Sequence, residues 1–350
     1  MLTPDDYARY QQHIKLSEIG TTGQLKLKKA RILCVGAGGL ASPLLLYLAA
    51  AGVGTLGIVD DDVIETSNLQ RQVLYRSEDI GKKKVFTAQS HLSALNPNIT
   101  IIAHEEHFQA DNAERLIEQY DVIADCTDNF TVRYHINNAC FKLDKTFIFA
   151  SIHQFAGQCA VFHPRRGPCF QCLFPLSPLI PLPSCDVGGV LGVLPGIMGA
   201  LQATEILKYL LNLGGELTGR LISFDALQLH FKTIALQQDP QCPCCVLHLS
   251  PEENSLSVTA LQNKLDNHET FTLIDVRTKE ERERYHMGGQ WIPLAELSQH
   301  VMSFDKQIEI IIYCQSGQRS LRAVQLFQQH NFSNVKSLAG GLKAWQNRSC

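Results

Sequence analysis

The first 150 residues alternate between short apolar blocks and polar or glycine-rich breaks. Ala30-Arg31-Ile32-Leu33-Cys34-Val35 is an apolar run of strand length, as a buried parallel strand requires. Gly36-Ala37-Gly38-Gly39-Leu40-Ala41 interrupts it, and an apolar stretch from Ser42 to Ala51 follows. Thr55–Val59 is a second strand and ends in Asp60-Asp61-Asp62. Strand, glycine turn, helix and strand make a βαβ unit. The pattern predicts further strands at Thr100–His104, Val122–Ala124 and Thr146–Ser151, with helices at Lys83–Leu95 and Asn112–Tyr120 between them. The expected fold of this half is a doubly wound α/β domain.

Periodicity is lost between Pro164 and Pro195, where seven prolines and three cysteines fall. This stretch reads as a long crossing loop. A helix over about Gly196–Leu213 and a strand near Arg220–Phe224 follow. The apolar face of Ile197–Leu211 is expected to be core or dimer contact. Leu249-Ser250-Pro251-Glu252-Glu253-Asn254-Ser255 has linker composition, so the domains are drawn at 1–248 and 255–350. The second is a smaller α/β domain, with strands at Thr272–Asp275 and Glu309–Tyr313. Its helices are expected at Thr278–Tyr285, Ser320–His330 and Gly341–Arg348.

Composition fits this picture. The chain has 350 residues, 45% apolar and 19% charged, which excludes wholesale disorder, collagen and coiled coil. A net charge of −3 gives no electrostatic grip on nucleic acid or an anionic membrane. The polar start, Met1-Leu2-Thr3-Pro4-Asp5-Asp6, is not that of a secretory signal, and Leu40–Val53 is too short to span a bilayer. A cytoplasmic enzyme or binding protein is expected. Twelve cysteines in such a chain point to metal or thiol chemistry before disulfides.

Three clusters carry that chemistry. The first is Gly36-x-Gly38-x-x-Ala41, a dinucleotide fingerprint with alanine in the last place. Its glycines allow close backbone approach, and the next helix offers free N–H groups to phosphate. Asp60, about 20 residues on at a strand end, suits a ribose hydroxyl pair. This much does not choose between NAD and ATP. Downstream, Asp62, Ser67-Asn68-Leu69-Gln70-Arg71, the Gly81-Lys82-Lys83-Lys84 turn and Asp128-Asn129 add cations and a carboxylate. Arg71 and Lys84 suit phosphate, and Asp128 suits Mg²⁺, a set that serves nucleotidyl transfer better than hydride transfer. Taken alone, the lysine triplet reads as a solvated face and Asp128-Asn129 as a helix N-cap.

The second cluster is Cys169-Phe170-Gln171-Cys172 with Cys242-Pro243-Cys244-Cys245. Paired C-x₂-C knuckles suit a closed, structural Zn²⁺ bound by Cys169, Cys172, Cys242 and Cys245, with Cys244 an extra thiol. The third is Cys314-Gln315-Ser316-Gly317-Gln318-Arg319, between an apolar strand and a helix. Backbone N–H groups and the helix dipole there favour a thiolate or persulfide anion. A phosphatase loop competes, but it needs five residues between cysteine and arginine and this one has four. Cys185, in a glycine-rich loop, is a second candidate nucleophile. Cys34, Cys126, Cys140 and Cys159 read as core, Cys350 as a free terminal thiol, and His104 and His107 as part of a solvated segment.

The glycine turn, the Asp60–Asp62 run, Ser67–Gln72, Lys84 and Asp128-Asn129 together resemble the E1-like adenylating enzymes of the MoeB/ThiF group. Asp275-Val276-Arg277, His286–Leu294, the Cys314 loop and Gly340-Gly341-Leu342-Lys343-Ala344-Trp345 resemble a fused rhodanese domain. The resemblance covers nearly the whole chain. It implies an E1/ThiF fold and contacts to MgATP from Gly39, Asp60, Asn68, Arg71, Lys84 and Asp128. It implies zinc at the two knuckles and a homodimer. The activity it implies is adenylation of the C-terminal glycine of a small ubiquitin-like sulfur carrier ending in Gly-Gly. Sulfur would then pass from a donor, such as a cysteine desulfurase, through a Cys314 persulfide, with Cys185 as a second covalent site. Gln12 stands where the family start has an arginine that reaches the partner subunit's ATP. An NAD-dependent oxidoreductase and a non-catalytic scaffold for a ubiquitin-like protein are the competing readings.

Overall fold

The computed structural model describes residues 1–175, 188–240, 242, 244–246 and 254–346. Cys185 and Cys350 lie outside them. The chain divides into two compact units, 1–245 and 246–350. The boundary expected at 249–255 falls almost wholly outside the described residues.

The first unit is built on an eight-stranded sheet. Its strands are β1 (Arg31–Val35), β2 (Thr55–Val59), β3 (Thr100–His104), β4 (Val122–Asp125), β5 (Thr146–His153), β6 (Ala156–Phe162), β7 (Arg220–Asp225) and β8 (His230–Ala235). Their order is β3-β2-β1-β4-β5-β6-β7-β8. The first five are parallel and the last three join antiparallel. Successive residues of β1 serve opposite faces. Ile32 and Cys34 join a core with the helices Ala41–Ala50, Lys84–Leu95 and Leu194–Leu211. Leu33 and Val35 join another with Ala110–Glu118 and Phe130–Lys142. Helices on both faces make the sheet doubly wound, as the apolar blocks predict. β6 and β8 are strands that the apolar blocks do not reveal. β8 is exposed along its whole length at the sheet edge, so no burial pattern marks it.

The 18-residue helix Leu194–Leu211 crosses this sheet. Its buried Gln202 sends Nε2 to the carbonyls of Asp125 and Ile148, both at 2.8 Å. It thereby ties the last residue of β4 to the body of β5. Among the described residues no helix is long and apolar enough to cross a membrane.

The second unit is a five-stranded parallel sheet. Its strands are β9 (Ser255–Leu256), β10 (Phe271–Asp275), β11 (Gln290–Trp291), β12 (Glu309–Tyr313) and β13 (Val335–Leu338), in the order β11-β10-β12-β13-β9. Ile310 and Ile312 pack on one face with Ala323, Val324 and Phe327. Ile311 and Tyr313 pack on the other with Leu261, Leu342 and Trp345. This unit, too, is a sheet between helices.

Both tryptophans, Trp291 and Trp345, lie in the second unit, so tryptophan fluorescence reports its unfolding separately. Gln202→Leu keeps the apolar stem but removes a buried hydrogen bond from each of two strand carbonyls. It should destabilise the first unit by about 2 kcal/mol. The loss should appear in the urea transition followed by circular dichroism of the full chain and be absent from the tryptophan signal. An unmoved dichroism midpoint would mean that the helix is held by apolar packing alone.

Candidate functional site

The C-terminal ends of the parallel strands open into a cavity of about 750 Å³, a size typical of ligand pockets. Gly36 takes the chain out of β1 with φ +92, and its N–H donates to Val59 at 2.9 Å. A side chain there would begin 3.0 Å from the carbonyl oxygen of Cys126. Asp60, at the end of β2, accepts from the N–H of Ala37 at 2.8 Å and of Asp62 at 2.9 Å. It therefore fixes the turn from below. Burial pushes its carboxyl above the ordinary range, and Lys84 draws it back.

Ten of the residues expected at a nucleotide line this cavity: Gly36, Gly38, Gly39, Asp60, Asp62, Asn68, Arg71, Lys84, Asp128 and Asn129. Three others do not. Ser67 turns to Glu65 at 3.3 Å, Leu69 packs against the core, and Gln70 lies against Gly192. The lysine triplet divides by environment. Lys82 pairs with Asp79 and Lys83 with Glu105. Lys84 is 6% exposed and its ammonium lies 2.7 Å from Asp62 at the cavity. A buried cation on one exposed carboxylate is poised to exchange that partner for a stronger anion.

Asn129 caps the helix Phe130–Lys142 through Thr131 N–H at 2.8 Å. Asp128 stands exposed beside it. The turn that carries both is pinned from beneath. Asp125 Oδ1 accepts from the Thr127 N–H at 3.0 Å and its hydroxyl at 2.8 Å. Arg133 Nη2 donates to the Thr127 carbonyl at 2.6 Å. Arg133 is buried, 3.4 Å from Asp125, and its guanidinium lies over the rings of Phe130 and Phe149. Burial raises the Asp125 carboxyl, opposed by Arg133. Gln12 is exposed on the helix Gln11–Ile14, and Arg9 is tied to the Leu95 carbonyl at 3.1 Å.

The sulfur atoms of Cys169, Cys172, Cys242 and Cys245 lie within 4.8 Å of one another. Separations of 3.5, 3.4 and 4.0 Å separate Cys169 from Cys242, Cys172 from Cys245 and Cys169 from Cys172. A tetrahedron of 2.3 Å metal–sulfur bonds has edges of about 3.8 Å, so the donor set fits Zn²⁺. Hydrogen bonds from Cys169 hold the Cys172 and Cys245 thiols below the ordinary thiol range. Hydrogen bonds with Cys172 push Cys169 up. Cys244 is not one of the four, although it bears on Cys169, and it accepts from Asn137 Nδ2 at 3.2 Å.

In the second unit Cys314 follows β12 and is fully buried. Gly317, at φ +88, turns the loop into the helix Gln318–Gln329. The Gly340-Gly341 turn presses on it: the N–H of Leu342 donates to the Cys314 carbonyl at 2.8 Å, and that of Lys343 to Gln315 at 3.0 Å. Only glycine fits at 341, because a side chain would begin 2.5 Å from that carbonyl. Asp275 and Arg277 form a buried pair at 2.8 Å, and Arg277 reaches Gln315 at 3.4 Å. Arg319 forks onto Glu281 at 2.7 and 2.6 Å.

A family model described as the ThiF family matches residues 10–244. The chain belongs to the ThiF family. Residues 257–348 match the rhodanese-like domain. The ThiF-family chain is 36% identical to the probable adenylyltransferase/sulfurtransferase MoeZ of Mycobacterium tuberculosis, over 98% of this chain and 94% of that protein. It is 37% identical to the adenylyltransferase and sulfurtransferase MOCS3 of Anopheles gambiae, over 98% and 87%. The sulfur carrier protein adenylyltransferase of Thermus thermophilus is 44% identical over 69% of this chain and 92% of its own. The structure of E. coli MccB with MccA-N7isoASN, at a TM-score of 0.61 and 21% identity, covers 68% of this chain and 74% of that chain. That likeness shows the fold alone. By its relatives, this ThiF-family protein is an enzyme of the adenylyltransferase/sulfurtransferase class, in a family that uses ATP.

The ThiF-family cavity also holds residues that motif reading passes over: Arg133, Glu106, His107, Phe130, Phe149 and Gln158. His107 was expected in a solvated segment; it is exposed, 3.4 Å from Asp61, at the cavity. His104 bonds to the Tyr120 hydroxyl at 2.8 Å. Arg133 had one sequence signal, its place one helical turn beyond Asn129.

Glu281 sets an acid limit on the second unit. Its ordinary value is 4.5, and the hydrogen bonds from Arg319 hold it down to about 2. Its charged form therefore stabilises the folded unit above pH 4.5, and that contribution is lost as pH falls towards 2. Glu281→Gln should lower the melting temperature of the tryptophan transition at neutral pH and flatten its fall across that window. A variant with the wild-type acid slope would assign the slope to other carboxylates.

Proposed function

We propose that the ThiF-like domain, 1–248, binds MgATP under the Gly36–Gly39 turn and adenylates the C-terminal glycine of a ubiquitin-like sulfur carrier ending in Gly-Gly. In the same reading the rhodanese-like domain, 255–350, carries the sulfur. The observation that carries this is the convergence of Arg71, Lys84, Asp60, Asn68 and Asp128 on one cavity at the strand ends. A carrier carboxylate oxygen attacks the α-phosphorus, and pyrophosphate leaves with the electrons of the broken P–O bond. Lys84 and Arg71 neutralise charge that grows on the phosphates. Asp60 and Asn68 orient the nucleoside end. Asp128 would hold Mg²⁺, which supplies further charge neutralisation when bound. Ser67, Leu69 and Gln70 act as the frame behind Asn68 and Arg71.

Cys314 takes sulfur from a donor, such as a cysteine desulfurase, as a persulfide. Its terminal sulfur attacks the acyl carbon of the adenylate and AMP leaves, which joins carrier and Cys314 through an acyl disulfide. A second thiolate, for which Cys185 is the candidate, attacks the Cys314 sulfur and releases the carrier thiocarboxylate. The two cysteines are left as a disulfide. Thiol chemistry of this kind fits a reducing, cytoplasmic setting. The products would serve molybdopterin, thiamin or thiolated-tRNA synthesis. A homodimer belongs to the same reading. Zn²⁺ on Cys169, Cys172, Cys242 and Cys245 would be structural, because four thiolates leave no open position.

ATP–pyrophosphate exchange with candidate carriers tests the first half. Lys84→Ala should lower exchange by about 10²- to 10³-fold and leave sulfur loading of Cys314 intact. Cys314→Ala should keep exchange and lose thiocarboxylate, read by mass spectrometry of the carrier. Equal loss of both activities in either variant would end this division of labour. Absence of exchange with every carrier would favour the scaffold reading.

Metal analysis of the purified chain tests the cysteine set. Cys172→Ser should lose zinc and lower the melting temperature of the first unit, whereas Cys244→Ser should keep its zinc. Loss of zinc from Cys244→Ser would put that thiol among the ligands.

A further inference from the structure

We infer that the buried hydroxyls of Ser320 and Ser337 form a two-step donor chain that stabilises the Cys314 sulfur anion. This rests on the reading of Cys314 as the sulfur-carrying residue. Ser320 is in the first turn of the helix after the loop; Ser337 is on the neighbouring strand β13, outside the loop motif. Both are fully buried, as is Cys314. Ser320 Oγ lies 3.5 Å from Cys314 Sγ, 3.0 Å from the Gly317 carbonyl and 2.7 Å from Ser337 Oγ. Ser337 Oγ is also 3.3 Å from the Gly317 carbonyl.

The count of protons gives the arrangement its meaning. Each hydroxyl has one proton to donate. The acceptors are the Cys314 sulfur, the Gly317 carbonyl and the other hydroxyl. While Cys314 is a neutral thiol, Ser320 can satisfy the Gly317 carbonyl. When the sulfur becomes an anion, Ser320 turns its proton to it. Ser337 then donates to Ser320 across 2.7 Å, the shortest contact of the set, and strengthens the Ser320 donor by polarising it. Hydrogen bonds to an ionised group are about twice as strong as neutral ones, and a sulfur without water access needs donors from the protein. Ser320 touches the reacting atom and acts as a catalytic residue. Ser337 acts through Ser320 and is a positioning residue.

The other charged groups around the loop are the same in every variant considered, Arg319 among them, whose charge acts on Cys314. Arg319 holds Glu281, and Arg277 and Arg282 hold Asp275. The Tyr313 hydroxyl donates to the Gly288 carbonyl at 2.9 Å. Arg322, Lys336 and Lys343 complete the charged set on the adjoining helices and strand.

The experiment uses the full chain and two readouts. The first is the rate of Cys314 alkylation by iodoacetamide against pH, followed on the Cys314 peptide by mass spectrometry. The second is single-turnover sulfur uptake from thiosulfate. There the Cys314 thiolate attacks the outer sulfur, a sulfur–sulfur bond forms, and sulfite leaves with the electron pair of the broken one. Ser320→Ala should raise the alkylation midpoint by about one pH unit, the equivalent of one hydrogen bond to a charge. It should slow uptake about tenfold at neutral pH. Ser337→Ala should shift both in the same direction by less, and Ser337→Thr, which keeps a hydroxyl on a strand-compatible side chain, should restore them. Unchanged profiles in Ser320→Ala and Ser337→Ala would overturn the inference. If Ser320→Ala does not fold, Ser337→Ala against Ser337→Thr decides it alone. A wild type that takes up no sulfur would strike the proposed function; the alkylation midpoints would still decide for or against the hydroxyl chain.

Discussion

The ThiF-family unit depends on one close backbone contact, between Gly36 and the carbonyl of Cys126. β1 and β4 are parallel neighbours that end together, Val35 beside Asp125. Two chains must therefore leave the sheet at one place. Gly36 makes this possible by turning through φ +92 where a side chain would meet the Cys126 oxygen. Its N–H then closes on Val59, and the Cys126 N–H on Val35, both at 2.9 Å. Three strand ends are locked at one level, and their polar residues are held with them. Asp60 from β2, the glycine turn from β1 and the Asp125–Asn129 turn from β4 face one cavity for that reason. Residues far apart in sequence meet because parallel strands all end on the same side.

The buried Asp125–Arg133 pair extends that lock. A buried ion pair is weak evidence for stability, since desolvation opposes its attraction. Its hydrogen bonds show its use. Asp125 holds the Thr127 N–H and hydroxyl; Arg133 holds the Thr127 carbonyl. The residue before Asp128 is gripped on three polar atoms, so Asp128 projects from a fixed turn although it is exposed itself. The rings of Phe130 and Phe149 keep the guanidinium between them.

Much of this was legible in the sequence because parallel strands buried on both faces are continuous apolar runs. β1 to β5, the glycine turn and the Cys314 loop are therefore plain. The remainder was hidden for physical reasons. β9 and β11 are two residues each, too short to carry a period. β8 is solvated, so His230-Phe231-Lys232-Thr233-Ile234 has no buried face to announce. At the cavity, motif reading finds charged residues in runs, and so it named Ser67, Leu69 and Gln70 together with Asn68 and Arg71. It cannot tell which members of a run turn inward. It also missed Arg133, which sits in a helix and owes its role to burial. Of the three lysines the family resemblance picked out Lys84, and burial supplies the physical difference from Lys82 and Lys83. The cysteine pairs were legible as a metal set, but the bond that Cys244 accepts comes from Asn137, 107 positions away in the chain.

The two units handle negative charge differently, and the difference follows from how much charge each must meet. A polyphosphate brings several charges, and in the proposed adenylation more develops on the leaving pyrophosphate. Full cations, Lys84 and Arg71, are suited to that load, and Lys84 is held ready by an exposed carboxylate it can give up. In the proposed sulfur transfer the Cys314 loop meets one charge, which must move between two sulfur atoms and then depart on the product. A full cation bonded to that sulfur would hold the anion and oppose its transfer. Arg319 bears on Cys314 through space while its guanidinium is bonded to Glu281, and the Ser320 hydroxyl makes the bond to the sulfur. A hydroxyl can turn towards the anion when it forms and back to the Gly317 carbonyl when it leaves. Reversible sulfur transfer requires stabilisation of that size: enough to form the thiolate in a buried loop, and small enough to let the sulfur go.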